Sequence, residues 1–134
     1  MKSLPILICL TLTINFALAA AAQNRESKLV RDVLPAIAKA PAEALAWKNP
    51  YEGQPDAVLA GEKLFRQHCA ECHGEDARGR GRAANLRSPS VQNATPGELA
   101  WFLRNGNLRK GMPSWSGLPV QRQWQIVTYL KSLH

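Results

Sequence analysis

Three cysteines, two methionines and three histidines are all that this 134-residue chain holds of the sulfur-bearing and imidazole side chains. Cys9 lies in an apolar N-terminal run, which leaves Cys69 and Cys72 for everything that follows. Two cysteines are too few for the disulfide framework of a small exported domain. Acidic residues are also scarce, with 10 Asp and Glu against 17 Lys and Arg for a formal charge of +7. No stretch alternates apolar and polar residues with the period of two that a half-buried strand requires, and no internal repeat is visible. These absences exclude a disulfide-stapled scaffold and a β-sandwich. They also raise the question of how so short a chain completes its core.

Residues 1–22 contain no acid, one base at Lys2 and 16 apolar side chains. Lys2, the apolar run from Leu4 to Leu18 and Ala19-Ala20-Ala21-Ala22 follow the order of an export signal, with cleavage expected near Ala22 and a periplasmic destination. An uncleaved membrane anchor is the alternative. Against it, the run is shorter than the roughly 18–20 apolar residues of a span, and Pro5, Thr11, Thr13 and Asn15 interrupt it. Residues 23–55 form an N-terminal extension. Leu29, Val30, Val33, Leu34 and Ile37 have helical spacing, but Pro35 breaks it and Pro41, Pro50 and Pro55 follow, so a short helix or an extended arm lying against the domain is expected. The domain proper occupies residues 56–134.

The most specific signal is Cys69-Ala70-Glu71-Cys72-His73, the C-x-x-C-H pattern of covalent c-type haem attachment. On a helix turning about 100° per residue, Cys69, Cys72 and His73 fall within an arc of about 100°. One face can then offer two thiols to the haem vinyl groups and an imidazole to the iron. A zinc site needs four ligands, and beside the two cysteines only His68, His73 and His134 are on offer, two of them crowded against the cysteines. A thioredoxin-like redox pair needs a strand-and-helix context that the flanking sequence lacks. His68 reads as a surface side chain near the haem edge.

With His73 on one side of the iron, the other axial position falls by elimination to Met112, since the only other methionine is Met1. Met112 stands in Gly111-Met112-Pro113-Ser114-Trp115, where Pro113 disfavours helical geometry at the residue before it. A loop there can bring a flexible thioether to the metal. Ordinary core packing of Met112, an open iron and ligation by Lys110 are the alternatives.

Around these residues the pattern is helical. Asp56 is placed to cap a helix through Ala57, Leu59, Leu64 and Phe65, in which Gly61 costs about 1 kcal/mol relative to Ala unless another helix crosses closely there. Gly74 to Gly81 reads as a loop. Thr95-Pro96-Gly97-Glu98 is a capping box, with Leu99, Phe102 and Leu103 as the apolar face and Gly106 as the stop. Trp124, Val127, Tyr129, Leu130 and Leu133 mark a last helix after Pro119. The expected domain is all-α, three to five helices with long loops around one covalent haem.

From about Asn49 to Leu133 the chain resembles the small monohaem class I c-type cytochromes, in particular the bacterial cytochrome-c6-like and oxidase-subunit-like domains. Gly61-Glu62-Lys63-Leu64-Phe65 with Cys69-Ala70-Glu71-Cys72-His73-Gly74 is similar to the family's first helix and attachment site. Ile126-Val127-Thr128-Tyr129-Leu130 is similar to its last helix, and Gly106 through Gly111-Met112-Pro113 to its distal-ligand segment. The resemblance implies that the two helices cross with Gly61 and Phe65 against Ile126 and Tyr129. It also implies His73 and Met112 as iron ligands, independently of the elimination.

An iron saturated by His73 and Met112 has no position for a substrate, so the function expected is one-electron transfer with haem c as the only cofactor. Arg78, Arg80, Arg82 and Arg87 flank the haem loop, and Arg104, Arg109 and Lys110 precede Met112. Together they suit a redox partner with an acidic docking face, the plainer alternative being solvated charges that serve solubility. Nucleic-acid binding is not supported, because the arginines are not interleaved with exposed stacking aromatics and the chain carries an export signal. Two further readings remain: a haem subunit bound permanently to a periplasmic dehydrogenase or terminal oxidase, or peripherally to a membrane, and a haem-based ligand sensor with a labile distal site.

One departure from the family is informative. Where its members often carry Gly-Pro-Asn-Leu, with the proline carbonyl accepting the far imidazole proton, this chain has Ala83-Ala84-Asn85-Leu86. Ala84 retains the carbonyl and lacks the stiffness of the ring. Ala84→Pro is therefore expected to keep normal haem ligation and equal or greater thermal stability. A large loss of ligation in the visible spectrum would mean that Ala84 is not the residue behind His73.

Overall fold

The structure, a computed structural model, describes residues 34–133. The export signal expected at residues 1–22, the apolar residues Leu29, Val30 and Val33, and His134 lie outside the described residues. In chain order the helices are α1 (Ala42–Leu45), α2 (Pro55–His68), α3 (Ala70–His73), α4 (Pro89–Gln92), α5 (Pro96–Asn105) and α6 (Val120–Lys131), with a 3-10 turn at Leu108–Lys110 before α6. Three of the six are single turns. Among the described residues there is no strand, only an isolated bridge between Asn107 and Met112, so the domain is all-α as expected. None of the described helices is long and apolar enough to cross a membrane.

The helix ends follow their local chemistry, with one correction. α2 begins one residue before the expected cap: Gln54 flanks it, Pro55 takes the first helical position, and Asp56 sits inside the first turn. The fixed φ of proline suits that position, and an acid in the first turn faces the positive end of the helix dipole. At α5 the capping box is complete. The Glu98 N–H donates to Thr95 Oγ1 at 3.1 Å, and the Thr95 N–H donates to Glu98 Oε2 at 2.7 Å. Gly106, at φ 66°, ends α5. α6 starts directly after Pro119.

α2 and α6 cross at Gly61. A Cβ on Gly61 would lie 2.0 Å from the Gln125 carbonyl oxygen and 2.8 Å from Tyr129 Cβ, so the backbones meet where a side chain would otherwise stand. Below the crossing Phe65 and Tyr129 pack ring on ring, with centroids 5.3 Å apart and planes tilted by 47°. Leu64, Phe65, Leu103, Ile126, Tyr129, Leu130 and Leu133 form a buried cluster on this side. A second cluster holds Ile37, Val91, Ala94, Leu99, Ala100 and Val127.

Residues 34–54 lie on that second cluster. Ile37 is buried among its side chains, and the Leu34 N–H donates to the Ser90 carbonyl at 2.9 Å. The Ala44 carbonyl occupies the space a Cβ on Gly97 would need, and Asn49 Nδ2 donates to Thr128 Oγ1 at 2.9 Å inside the protein. In residues 34–45 Pro35 and Pro41 limit helix to a series of turns and the single turn α1.

The crossing yields a signed prediction. At an open helix position Gly→Ala gains about 1 kcal/mol. At Gly61 the clash with the Gln125 carbonyl forces the helices apart, at about 1–3 kcal/mol for an overpacked core. Gly61→Ala should therefore lower the urea midpoint of the holoprotein, while Gly117→Ala, with nothing within 4 Å, should leave it unchanged. A Gly61→Ala protein at least as stable as the parent would refute the close crossing.

Candidate haem-binding site

The C-x-x-C-H residues occupy the junction of α2 and α3. The helix expected through the whole motif is broken at Cys69, whose φ of −124° makes it at once the end of α2 and the start of α3. Helical hydrogen bonding persists across the break. The Cys69 N–H donates to Phe65 O at 2.8 Å and the His73 N–H to Cys69 O at 2.9 Å. Both cysteines are free, Cys69 half-buried and Cys72 exposed. Burial, and secondarily the neighbouring Cys72, push the Cys69 thiol up to about 11. Gly74, at φ 79°, ends the turn by donating its N–H to Ala70 O at 2.8 Å.

His73 Nδ1 lies 3.0 Å from the Ala84 carbonyl oxygen. A carbonyl only accepts, so Nδ1 carries the proton and Nε2 is left with its lone pair, the form in which an imidazole ligates iron. The loop between them is folded back on itself. The Gly79 N–H donates to the His73 carbonyl at 2.7 Å, and the Leu86 N–H donates to Ala77 O at 2.8 Å. Ala77 takes a left-handed φ of 60° with its methyl fully buried. The backbone cost of about 1–2 kcal/mol is partly offset by about 0.8 kcal/mol for the buried methyl.

Arg87 is not a free surface charge. Its Nε donates to Asp76 O at 2.7 Å and its Nη1 to Leu133 O at 3.1 Å, fastening the loop to the end of α6. Sequence reasoning missed this because both acceptors are backbone carbonyls of residues distant in the chain, which leave no pattern in composition. Gln92 works in the same way, donating from Nε2 to Leu86 O and Leu130 O.

Met112 lies on a loop, as Pro113 requires. Asn107 and Met112 exchange backbone hydrogen bonds of 2.8 and 3.1 Å, closing a small ring around the 3-10 turn, and Gly111 at φ 88° makes the reversal. A Cβ on Gly106 would lie 2.4 Å from Pro113 O, so the loop returns tightly across the end of α5. The Trp115 N–H completes the attachment by donating to Leu103 O at 3.0 Å.

Cys69, Leu86, Met112, Trp115 and Leu118 are partly exposed apolar side chains packed on the cluster of Leu64, Phe65, Leu103 and Tyr129. The structure thus brings one thiol, Cys69, and the Met112 thioether onto one half-covered apolar surface, with the second thiol, Cys72, and the His73 imidazole following Cys69 on the next helical turn. That set fits a haem, whose apolar faces need such a surface and whose iron takes nitrogen and sulfur donors. Among the described residues no three His, Cys, Asp or Glu side chains are grouped to hold a metal ion.

Known proteins share this plan. The family described as cytochrome c oxidase, cbb3-type, subunit III matches residues 56–130. Cytochrome c550 of Pseudomonas aeruginosa is 34% identical over 95 residues, 66% of this chain and 63% of that protein. Quinohemoprotein alcohol dehydrogenase ADH IIB of Pseudomonas putida is 34% identical over 101 residues, 74% of this chain and 14% of that protein. The cbb3-type cytochrome c oxidase subunit CcoP of Rubrivivax gelatinosus is 50% identical over 46 residues, 34% of this chain and 13% of that protein. The crystal structure of cytochrome cL from Methylophaga aminisulfidivorans aligns at a TM-score of 0.56 with 27% identity, covering 63% of this chain and 58% of that one. The chain spans less than two thirds of each of these relatives. With its single C-x-x-C-H motif, its all-α fold and this match over more than half its length, the chain belongs to the cbb3-type subunit III family of monohaem class I c-type cytochromes, which carry haem c covalently.

Proposed function

We propose that the chain is a one-electron carrier in which Cys69 and Cys72 would join haem c through thioethers and His73 and Met112 would ligate its iron. The observation that carries this is the 3.0 Å contact from His73 Nδ1 to the Ala84 carbonyl, which leaves Nε2 for the metal. A haem held in this way supplies reversible one-electron chemistry at a potential raised by the thioether ligand. The protein's own residues do the rest. Ala84 fixes the imidazole tautomer, the Asn107–Met112 ring presents the thioether, and the apolar side chains around them keep water away. A ligand-binding sensor is disfavoured in this reading, since Met112, which packs on the same cluster as Cys69, would take the position such a protein keeps open.

The charge pattern supports an acidic redox partner. Arg78 pairs with Asp76 at 3.5 Å, Arg87 is committed to backbone carbonyls, and Arg104 lies 5.9 Å from the Trp47 ring centroid. Arg80, Arg82, Arg109 and Lys110 are exposed and form no ion pair among the described residues. Those four are the docking charges in this reading, with residues 1–22 as the export signal to the periplasm, 23–55 as an extension and 56–134 as the cytochrome domain. A second reading, a haem subunit of a dehydrogenase or terminal oxidase, draws support from the likeness to ADH IIB and CcoP. Size-exclusion chromatography of the native protein separates the two: migration as a free domain supports the carrier, and co-migration with a large redox complex supports the subunit.

On a haem-stained denaturing gel the parent should give a band that Cys69→Ala combined with Cys72→Ala abolishes. Covalent haem surviving loss of both thiols would overturn the attachment. Met112→Ala should keep the stain and lose the far-red thioether-to-iron band of the ferric protein. For the docking charges, oxidation by ferricyanide, an anionic probe, should slow as salt rises. Arg82→Glu with Lys110→Glu should flatten that slope, and an unchanged slope would reject those residues as the steering charges.

A further inference from the structure

His68 ends α2 immediately before the first thiol, and Trp115 stands three residues after the thioether of Met112. Their rings lie 5.4 Å apart, centroid to centroid, with planes tilted by 56°. That is within the range at which aromatic rings attract beyond simple burial. Both are half-buried, and Trp115 also packs on the apolar cluster that Met112 and Cys69 share. The hydrogen bonds that anchor the distal segment to helices run to α5, from Trp115 N–H to Leu103 O and from Ser114 Oγ to Arg104 O at 2.5 Å, and to α6, from Gln123 Nε2 to Leu118 O. The ring pair instead ties the segment directly to the attachment helix.

The geometry points to His68 and Trp115 as a clasp that sets how readily Met112 leaves the iron, making them positioning residues for the distal ligand. This rests on the ligand set proposed above. An external base such as imidazole can reach ferric iron only when Met112 has left it. Any contact made only while the segment is closed lowers the apparent affinity for that base by its Boltzmann factor. A tilted aromatic pair of ordinary strength corresponds to about three- to tenfold. Trp115 also fills part of the core, so its removal does more than undo the pair. His68 bears the clasp with little else at stake, since its only aromatic contact among the described residues is Trp115.

The test is imidazole titration of the ferric holoprotein, followed by loss of the far-red band, across a double-mutant cycle. His68→Ala should raise the apparent imidazole affinity by about three- to tenfold, and His68→Phe, which restores a ring, should return it towards the parent value. In a Trp115→Leu background His68→Ala should add nothing further. An affinity unmoved by His68→Ala, or raised equally in both backgrounds, would overturn the clasp while leaving the His73 and Met112 assignment intact. A parent protein with no far-red band would overturn both.

Discussion

The carbonyl of Gln125 stands where any residue but glycine at position 61 would put its Cβ, and the geometry of the candidate site descends from that contact. With two helices this close, α2 cannot slide or rotate on α6 without a backbone clash. The end of α2 is therefore fixed relative to the start of α6. Cys69, Cys72 and His73 follow directly from that end. The distal segment leads directly into α6, where Gln123, buried near its start, holds the preceding turn by donating from Nε2 to Leu118 O at 2.6 Å. The thiols and the thioether, far apart in sequence, are thus referred to one rigid crossing.

The two apolar clusters differ in a way that matches their roles. The one that Leu34, Ile37 and Trp47 help to build joins them to side chains of α4, α5 and α6, with Leu86, Phe102 and Trp124 partly buried at its edge. The other is ringed by half-exposed Cys69, Leu86, Met112, Trp115 and Leu118. A chain of this size buries a modest fraction of its apolar surface by itself. The lead-in joins the first cluster through Ile37 and is held beside it by the Ala44 carbonyl at Gly97 and by Asn49 on Thr128.

Much of this was legible in the sequence because the chemistry was local. The C-x-x-C-H pattern, the Thr95 box, the stop at Gly106 and the loop around Met112 all depend on neighbours within a few residues. Gly61 was legible as an anomaly, an interior helix glycine that only a crossing partner explains. Asp56 was misplaced by two positions, from cap to second helical residue, because Pro55 is an even better first helical residue than Asp56 is a cap. What stayed hidden depended on partners remote in the chain. Gly97 needs the Ala44 carbonyl to show its purpose, Arg87 needs Asp76 and Leu133, and His68 looked like an isolated surface imidazole until Trp115 was brought beside it. Composition and period record the character of a residue but not its distant acceptor.

The absence of a proline behind His73 shows how a fold compensates for a missing local constraint. A proline there would hold the carbonyl through its own fixed φ. Here the position of the Ala84 carbonyl is set from outside. Gly79, at φ 85°, comes so close that a Cβ on it would sit 2.4 Å from Ala83 O and 2.9 Å from the Ala84 carbonyl carbon. Its N–H returns to the His73 carbonyl, so the same residue touches both partners of the imidazole bond. The Ala83 N–H closes on Arg80 O at 2.9 Å, and Arg87 clamps Asp76 to the end of α6. The orientation of the imidazole therefore depends less on residue 84 than on a glycine that permits the approach and an arginine that holds the loop shut. It is also why Arg87, one of the seven cations flanking the ligand segments, belongs to the architecture of the site rather than to its field.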